Sequence, residues 1–455
     1  MLSSARRIQA ITLIALLIRV ILAPTPGYDL PNFKIWQAYI GAVGLPHAYT
    51  LANPPIVYPP GYLYLLQGLA FFYQPGYPLL PQAGWSSVIM KAPLILADVL
   101  VGLLIFYIIR SYGAPLRCAR LGYLAYLLNP GVIFNTAYWG GIDVLMGLPV
   151  LGAVFLATAG QAELAFLLAT VAFLTKYQAG VILPFIALLV LLRCGFSRLL
   201  RGIAVAALAT LVIYAPFALT GNIVQVVENT YGSVIAEFPY LTVHAHNIWW
   251  ILSYIIGYPY IPDGITIIGG VSLRTLSLLS LGVVIVIVCR RTVQYQTAQP
   301  RTGIYRARWL PFAFAAILAL AFFGLATEMH ENYLYLVFPF MAVVAWQSQR
   351  LWITYWLLSI GWTLNMVLHD PVILQQLQDW RVVAPPAVAA ILALVQQPWR
   401  SILVANMAPA TLVNALMILV VTIDATGQLF RIPRKTVAQR TLCHRTQPAG
   451  PSPIV

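Results

Sequence analysis

The stretch Ala326–Tyr335, ATEMHENYLY, brings Glu328, His330 and Glu331 together in a chain that has only twelve Asp and Glu in all. A carboxylate beside an imidazole is equipment for moving a proton or holding a hydroxyl. The same residue types recur sparsely elsewhere. Asp29 stands in GYDLPNFKIWQAY, Asp143 in YWGGIDVL, Lys176 and Gln178 in FLTKYQAGVILP, Arg274 in SLRTL, and His244, His246 and Asn247 in HAHNIWW. Tyr58 opens YPPGYLY, where two prolines fix an extended approach to a helix. A carboxylate can take the proton of a hydroxyl, and Lys176, a base outside the cytoplasmic clusters, can contact a phosphate. His330 offers a charged donor only if neighbouring acids hold its pKa up. His244 and His246 have a spacing that metal ligands use, with no third ligand placed beside them.

Membrane helices must position these groups. The 455 residues are 61% hydrophobic and 8% charged, with mean hydropathy +0.84. A soluble domain carries roughly 25% charge. Long apolar runs recur from Ile8 to Ile423 with no polar linker, which predicts one all-α integral membrane domain over residues 1–455 with a basic cytoplasmic tail from about 425. Ala23-Pro24-Thr25-Pro26 is a poor cleavage site, so the first run is read as a retained helix. The net charge of +14 sits in short clusters between apolar runs, the pattern of cytoplasmic loops and not of a nucleic-acid surface. Placing those clusters inside predicts about twelve crossings (eleven to fourteen), among them 119–137, 177–193, 333–348 and 401–424. The shorter runs 59–73, 246–260 and 383–396 are expected as half-inserted outer helices. Nine acids then fall outside: Asp29, Asp143, Glu228, Glu237, Asp263, Glu328, Glu331, Asp370 and Asp379. Asp98 alone lies deep in a span. The four cysteines lack C-x-x-C spacing, lie near arginines and are expected to be reduced.

The outer segments resemble, in order along the chain, the GT-C superfamily of polytopic glycosyltransferases and, within it, bacterial proteins related to GPI mannosyltransferases. The resemblance rests on an Asp after the first helix (Asp29), F-x-x-W at Phe33–Trp36, Y-P-P-G-Y-L-Y at 58–64, K-x-P-x-I-L-A-D at Lys91–Asp98, W-G-x-I-D ending at Asp143, T-K-x-Q at 175–178, N-x-W at 247–249 and M-H-E at 329–331. Val57 stands where the family often has an acid, and Asn332 where it often has Arg. The resemblance implies an inverting transfer of a hexose, mannose-like, from a polyprenyl-phosphate-sugar donor to a glycan, lipid or protein acceptor on the extracytoplasmic face of the cell membrane. It implies Asp29 as the base, with Asp143 and Glu331 as second choices or orienting partners. Lys176, Arg274 and His330 would meet the donor phosphate, and Tyr58, Gln178, Asn247 and Glu328 the substrate. No cofactor is expected, although a divalent metal is compatible. The competing reading is a transporter or flippase of lipid-linked glycans, which would place ionisable groups near the bilayer midplane and show repeated halves; no internal repeat is evident.

Both termini are expected in the cytoplasm. A reporter that works only outside the cytoplasm, fused at Pro453, should stay inactive; activity there would overturn the arrangement.

Overall fold

The computed structural model describes residues 4–72, 84–232, 238–297, 308–370, 373 and 409–431. The expected half-helix at 383–396, Glu237, Asp379 and the tail beyond 431 lie outside the described residues. The helices are α1 (Ser4–Leu22), α2 (Leu30–Val43), α3 (Pro60–Ala70), α4 (Gly84–Ser111), α5 (Leu116–Leu127), α6 (Pro130–Ile133), α7 (Asp143–Thr158), α8 (Ala162–Thr175), α9 (Leu183–Cys194), α10 (Phe196–Leu219) and α11 (Ile223–Val227). They continue as α12 (Ile248–Ile256), α13 (Leu273–Thr297), α14 (Leu310–Leu325), α15 (Val337–Val344), α16 (Gln349–Val367) and α17 (Pro409–Arg431). Two short strands, β1 (Thr242–Val243) and β2 (Met329–His330), pair in parallel with Thr242 opposite Met329 and Val243 opposite His330.

The protein is all-α and a membrane protein. Among the described residues, five stretches are long and apolar enough to cross a bilayer: Gly84–Ser111, Tyr177–Cys194, Phe196–Leu219, Leu273–Gln296 and Pro409–Arg431. Ile8–Leu22, Asp143–Thr158, Ala162–Thr175 and Leu310–Leu325 are apolar but shorter. Some expected crossings are broken. The run 119–137 divides at Asn129, whose side chain accepts the Val132 amide at 3.1 Å and starts a new helix with Pro130 in its first turn. The run 333–348 is a short α-helix between two 3₁₀ turns. The short helices expected at 59–73 and 246–260 are α3 and α12. Sequence reading missed α2, in a segment taken as loop. Pro31 lies in its first turn, and Phe33, Trp36, Gln37 and Ile40 form a buried stripe at helical spacing. Cys194 and Cys289 are free, whereas Cys118 is disulfide-bonded, which corrects the expectation of four reduced thiols.

Helices α7, α8 and α10 pack side by side, as do α4 with α5 and α16 with α17. Tyr355 and Ser359 of α16 hydrogen-bond Asn129 at the α5–α6 break, at 3.0 and 2.7 Å. A buried ion pair ties the first helix to the fourth: Arg19 Nε lies 2.9 Å from Asp98 Oδ2, and both side chains are fully buried. Arg19 Nη1 also donates to the carbonyls of Ala15 and Leu127, and Tyr126 donates to Asp98 Oδ1 at 3.0 Å. The Tyr126 hydroxyl meets that of Tyr335 at 2.6 Å, so the network runs from α1 to the segment that follows Glu331.

Removing one member strands the other as a buried charge, which costs about 3–5 kcal/mol. Asp98→Leu should therefore lower stability by about that amount, while Arg19→Met/Asp98→Leu loses clearly less. Unfolding of both variants and of Arg19→Met in detergent micelles closes the cycle, and a double loss equal to the sum of the two single losses would show that the charges are not coupled.

Candidate active site

A cavity of about 670 Å³ opens where the loop after α1 meets the ends of α8 and α14. Asp29, Tyr58, Lys176, Gln178, His330 and Glu331 line it together, six of the residues singled out from sequence. Arg274, Asn247, Glu328 and Asp143 do not line it.

Asp29 sits at the N-cap position of α2 but does not cap it: its backbone is at φ −84°, ψ −17°, in the helical region, and its side chain bonds none of the free amides. Cap residues ordinarily adopt β-region angles and accept those amides. Among the described residues no hydrogen bond or ion pair reaches the Asp29 carboxylate. Burial raises its pKa to about 6, with Lys176 pulling it down and Asp143 pushing it up. The segment before it is fixed tightly. Gly27 has φ +72°, and a Cβ there would run into the Trp139 carbonyl. Tyr28 stacks on Trp139 with ring centroids 5.3 Å apart.

Lys176 and Asp143 form a buried ion pair at 2.6 Å. Asp143 Oδ2 also accepts from Asn135 at 3.1 Å and Asn332 at 3.2 Å. The ammonium lies 5.0 Å from the centre of the Tyr333 ring and 5.9 Å from that of Tyr58. Asp143 is thus committed to Lys176 and stands one layer behind the cavity wall. Asn332, where a cation is frequent in the resembling family, supplies this carboxylate with an amide donor.

Glu331 begins a 3₁₀ turn, Glu331–Leu336, directly after β2. Its Oε2 is buried without a partner. Burial is the main cause that pushes its pKa up to about 8; its own backbone amide lowers it, Asp29 and Asp143 raise it and Lys176 lowers it. At neutral pH the side chain is therefore mostly a protonated acid that can donate. Gln178 Oε1 is likewise buried and unpartnered. Both residues line the cavity, with these two atoms turned into the protein.

His330 departs from the condition set for it. Burial, then His244 and Lys176, lower its pKa to about 3, so it is neutral. The reason is that Glu328 faces elsewhere. Its carboxylate lies 2.6 Å from Arg274 Nη2, and Arg274 also grips Asp263 at 2.8 and 2.9 Å. Thr327 donates to Asp263 at 3.0 Å. Arg274 thus clamps the two outer loops together, and Glu328 belongs to that clamp. Glu328 holds φ +62°, a region costly for a residue with a side chain. Asn247 caps α12, accepting the amides of Trp249 and Trp250 and donating to the Phe323 carbonyl.

Sequence reasoning had not placed Tyr28, Asn32, Tyr240, Tyr260 and Tyr333 on the cavity wall. Tyr333 had a signal, since it follows the acid and imidazole pair on one turn. The other tyrosines had none, because chain separation hides their convergence. His244, His246 and His369 form a buried cluster: His246 Nε2 lies 3.0 Å from His369 Nε2, and the His244 ring stacks on His369 at 4.6 Å. Asn414 Nδ2 donates to His246 Nδ1 at 2.7 Å, which places the His246 proton on Nε2, toward His369. Burial lowers the pKa values of all three. Among the described residues no three His, Cys, Asp or Glu converge as a metal site. No protein-family model and no curated protein matches the chain.

Glu331 links stability to pH. Its folded pKa of about 8 exceeds the ordinary 4.5, so its stabilising contribution is complete below 4.5 and is lost as pH rises through about 8. The melting temperature of Glu331→Gln relative to the parent should climb across that window and then level off. A difference independent of pH would place the carboxyl in water.

Proposed function

We propose that the protein is an inverting glycosyltransferase of the GT-C type, moving a hexose from a polyprenyl-phosphate donor to a hydroxyl of a glycan, lipid or protein. In this reading the chain makes about twelve crossings and the cavity opens on the extracytoplasmic face. The observation that carries the proposal is the Asp29 carboxylate at the head of α2, without a partner among the described residues, turned away from its capping position and lining a 670 Å³ cavity rich in aromatic rings. Aromatic walls with a few polar groups suit a sugar joined to an apolar lipid.

Asp29 takes the proton of the acceptor hydroxyl, and the oxygen attacks the anomeric carbon from the side opposite the phosphate. The C–O bond to the lipid phosphate breaks with its electron pair on the phosphate, and the configuration inverts. Glu331, protonated at neutral pH, donates a hydrogen bond to a donor oxygen. Neutral His330 can donate one as well, a role smaller than the cationic one expected of it. Lys176 acts through Asp143 and the adjacent rings as a fixed positive centre beside the cavity, and Arg274 shapes the outer loops. With Asp29 near 6 and Glu331 near 8, one acid is mainly ionised and the other mainly protonated between those values, the division of labour that acid–base catalysis needs. A flippase would use ionisable groups along the bilayer interior, whereas Arg19 and Asp98 are committed to each other there.

Purified protein incubated with a panel of polyprenyl-phosphate hexoses and candidate acceptors should transfer sugar, and Asp29→Asn should lower the rate by roughly 10²–10⁴-fold with donor binding kept. The rate should rise with pH through about 6 and fall above about 8, and Glu331→Gln should erase only the alkaline limb. Near-normal turnover by Asp29→Asn would move the base elsewhere, and failure with every donor would remove the glycosyltransferase reading.

A further inference from the structure

Lys91 is a buried lysine in α4 whose bonds go to neutral oxygens. Its Nζ donates to the Thr25 carbonyl at 2.9 Å, to Thr25 Oγ1 at 2.9 Å and to the Tyr138 carbonyl at 2.7 Å. An ammonium has three donors, so the set is filled. The side chain is fully buried. Gly140, at φ +79°, leaves room for the stem, since a Cβ there would lie 3.2 Å from Lys91 Cε. Thr25 Oγ1 closes the triangle at 2.8 Å from Tyr138 O, sharing its one hydrogen between that carbonyl and Leu22 O at 2.7 Å.

A buried polar group keeps its place only where its hydrogen bonds are met, and those of Lys91 secure the join between residues 25 and 138. That join lies four residues before Asp29 and one before Trp139, against which Gly27 and Tyr28 are pressed. An aspartate at the head of a helix would otherwise settle into the cap, accepting amides of α2.

We propose that Lys91 is the positioning residue for Asp29: by tying Thr25 to Tyr138 it holds the segment 25–29 so that the carboxylate faces the cavity instead of capping α2. The importance of that orientation for catalysis rests on the glycosyltransferase reading; the orientation itself can be tested without it. The titratable groups around Asp29 are Lys176, Asp143, Glu331 and the phenols of Tyr28, Tyr58, Tyr62 and Tyr333; Lys91 is not among them.

The test uses a hydrophobic carbodiimide, which attacks protonated carboxyls, on the purified full chain across the pH range, with modification of Asp29 read by peptide mass spectrometry. In the parent protein, half-labelling should fall near pH 6. In Lys91→Met the midpoint should drop by about one pH unit or more, because a capping carboxylate is stabilised by backbone amides. Lys91 is not among the charges that act on Asp29, so its loss without movement of the segment leaves the midpoint in place, and a drop reports repositioning. Lys91→Arg, which can still reach carbonyl oxygens, should restore part of the parent midpoint. Thr25→Val removes two edges of the triangle and should move the midpoint the same way by less; it decides the matter alone should Lys91→Met fail to give a cooperative melting transition. An unchanged or raised midpoint in a folded variant overturns the proposal. Absence of sugar transfer by the parent protein would overturn the functional reading and leave this result standing.

Discussion

The buried ion pair of Lys176 with Asp143 is the constraint around which the cavity is organised. Two charges leave water only when each finds a partner and the remaining lone pairs are met. Here Asp143 takes Lys176 on one oxygen and Asn135 and Asn332 on the other. Those four residues belong to the α6–α7 connection, the head of α7, the end of α8 and the turn after β2. The pair therefore sets the distance between the chain segments that carry Gln178, His330 and Glu331, and it leaves a positive centre close enough to pull Asp29 toward ionisation. Among the described residues, Lys176 is also the one group that opposes the burial of Asp29.

A second joint acts on the loops outside. Arg274, Asp263, Thr327 and Glu328 bind the loop after α12 to the stretch before β2, and the short parallel strands continue that contact. The His330 amide and imidazole are thus delivered to the cavity by a backbone that the clamp holds, with Phe238 and Tyr333 against the ring. Strain at Glu328 is kept in place by the same ion pair. The cavity owes its floor to one charge pair and its rim to another.

Much of this was legible in the sequence. Sparse charge and recurrent apolar runs give an all-α membrane protein, and the brevity of 59–73 and 246–260 identifies α3 and α12 as short helices. Asp29, Tyr58, Lys176, Gln178, His330 and Glu331 stand out because polar residues are rare, and they do meet. Other features depend on contacts that no spacing encodes. The α2 stripe of Phe33, Trp36 and Ile40 was present, but Pro31 drew the reading toward a stiff loop. Arg274 looked like a free base because its partner Asp263 lies across an irregular loop. The protonation of Glu331 and the neutrality of His330 come from burial, which only the fold creates. Asn129 and Pro130 announced a helix break that their apolar surroundings concealed.

The Arg19–Asp98 pair has a consequence for how the protein is made. Seventy-nine positions separate the two residues, so at about 5–20 residues per second the arginine leaves the ribosome roughly 4–16 s before its partner. Over that interval the first helix carries an unneutralised guanidinium close to its end. A lone cation of this kind reaches for the bilayer surface with its long stem. Release of α1 into lipid as an independent span would fix it in a position it must later abandon. The pairing therefore makes the first helix a guest of the insertion machinery until α4 arrives, and assembly of this membrane domain begins with a wait.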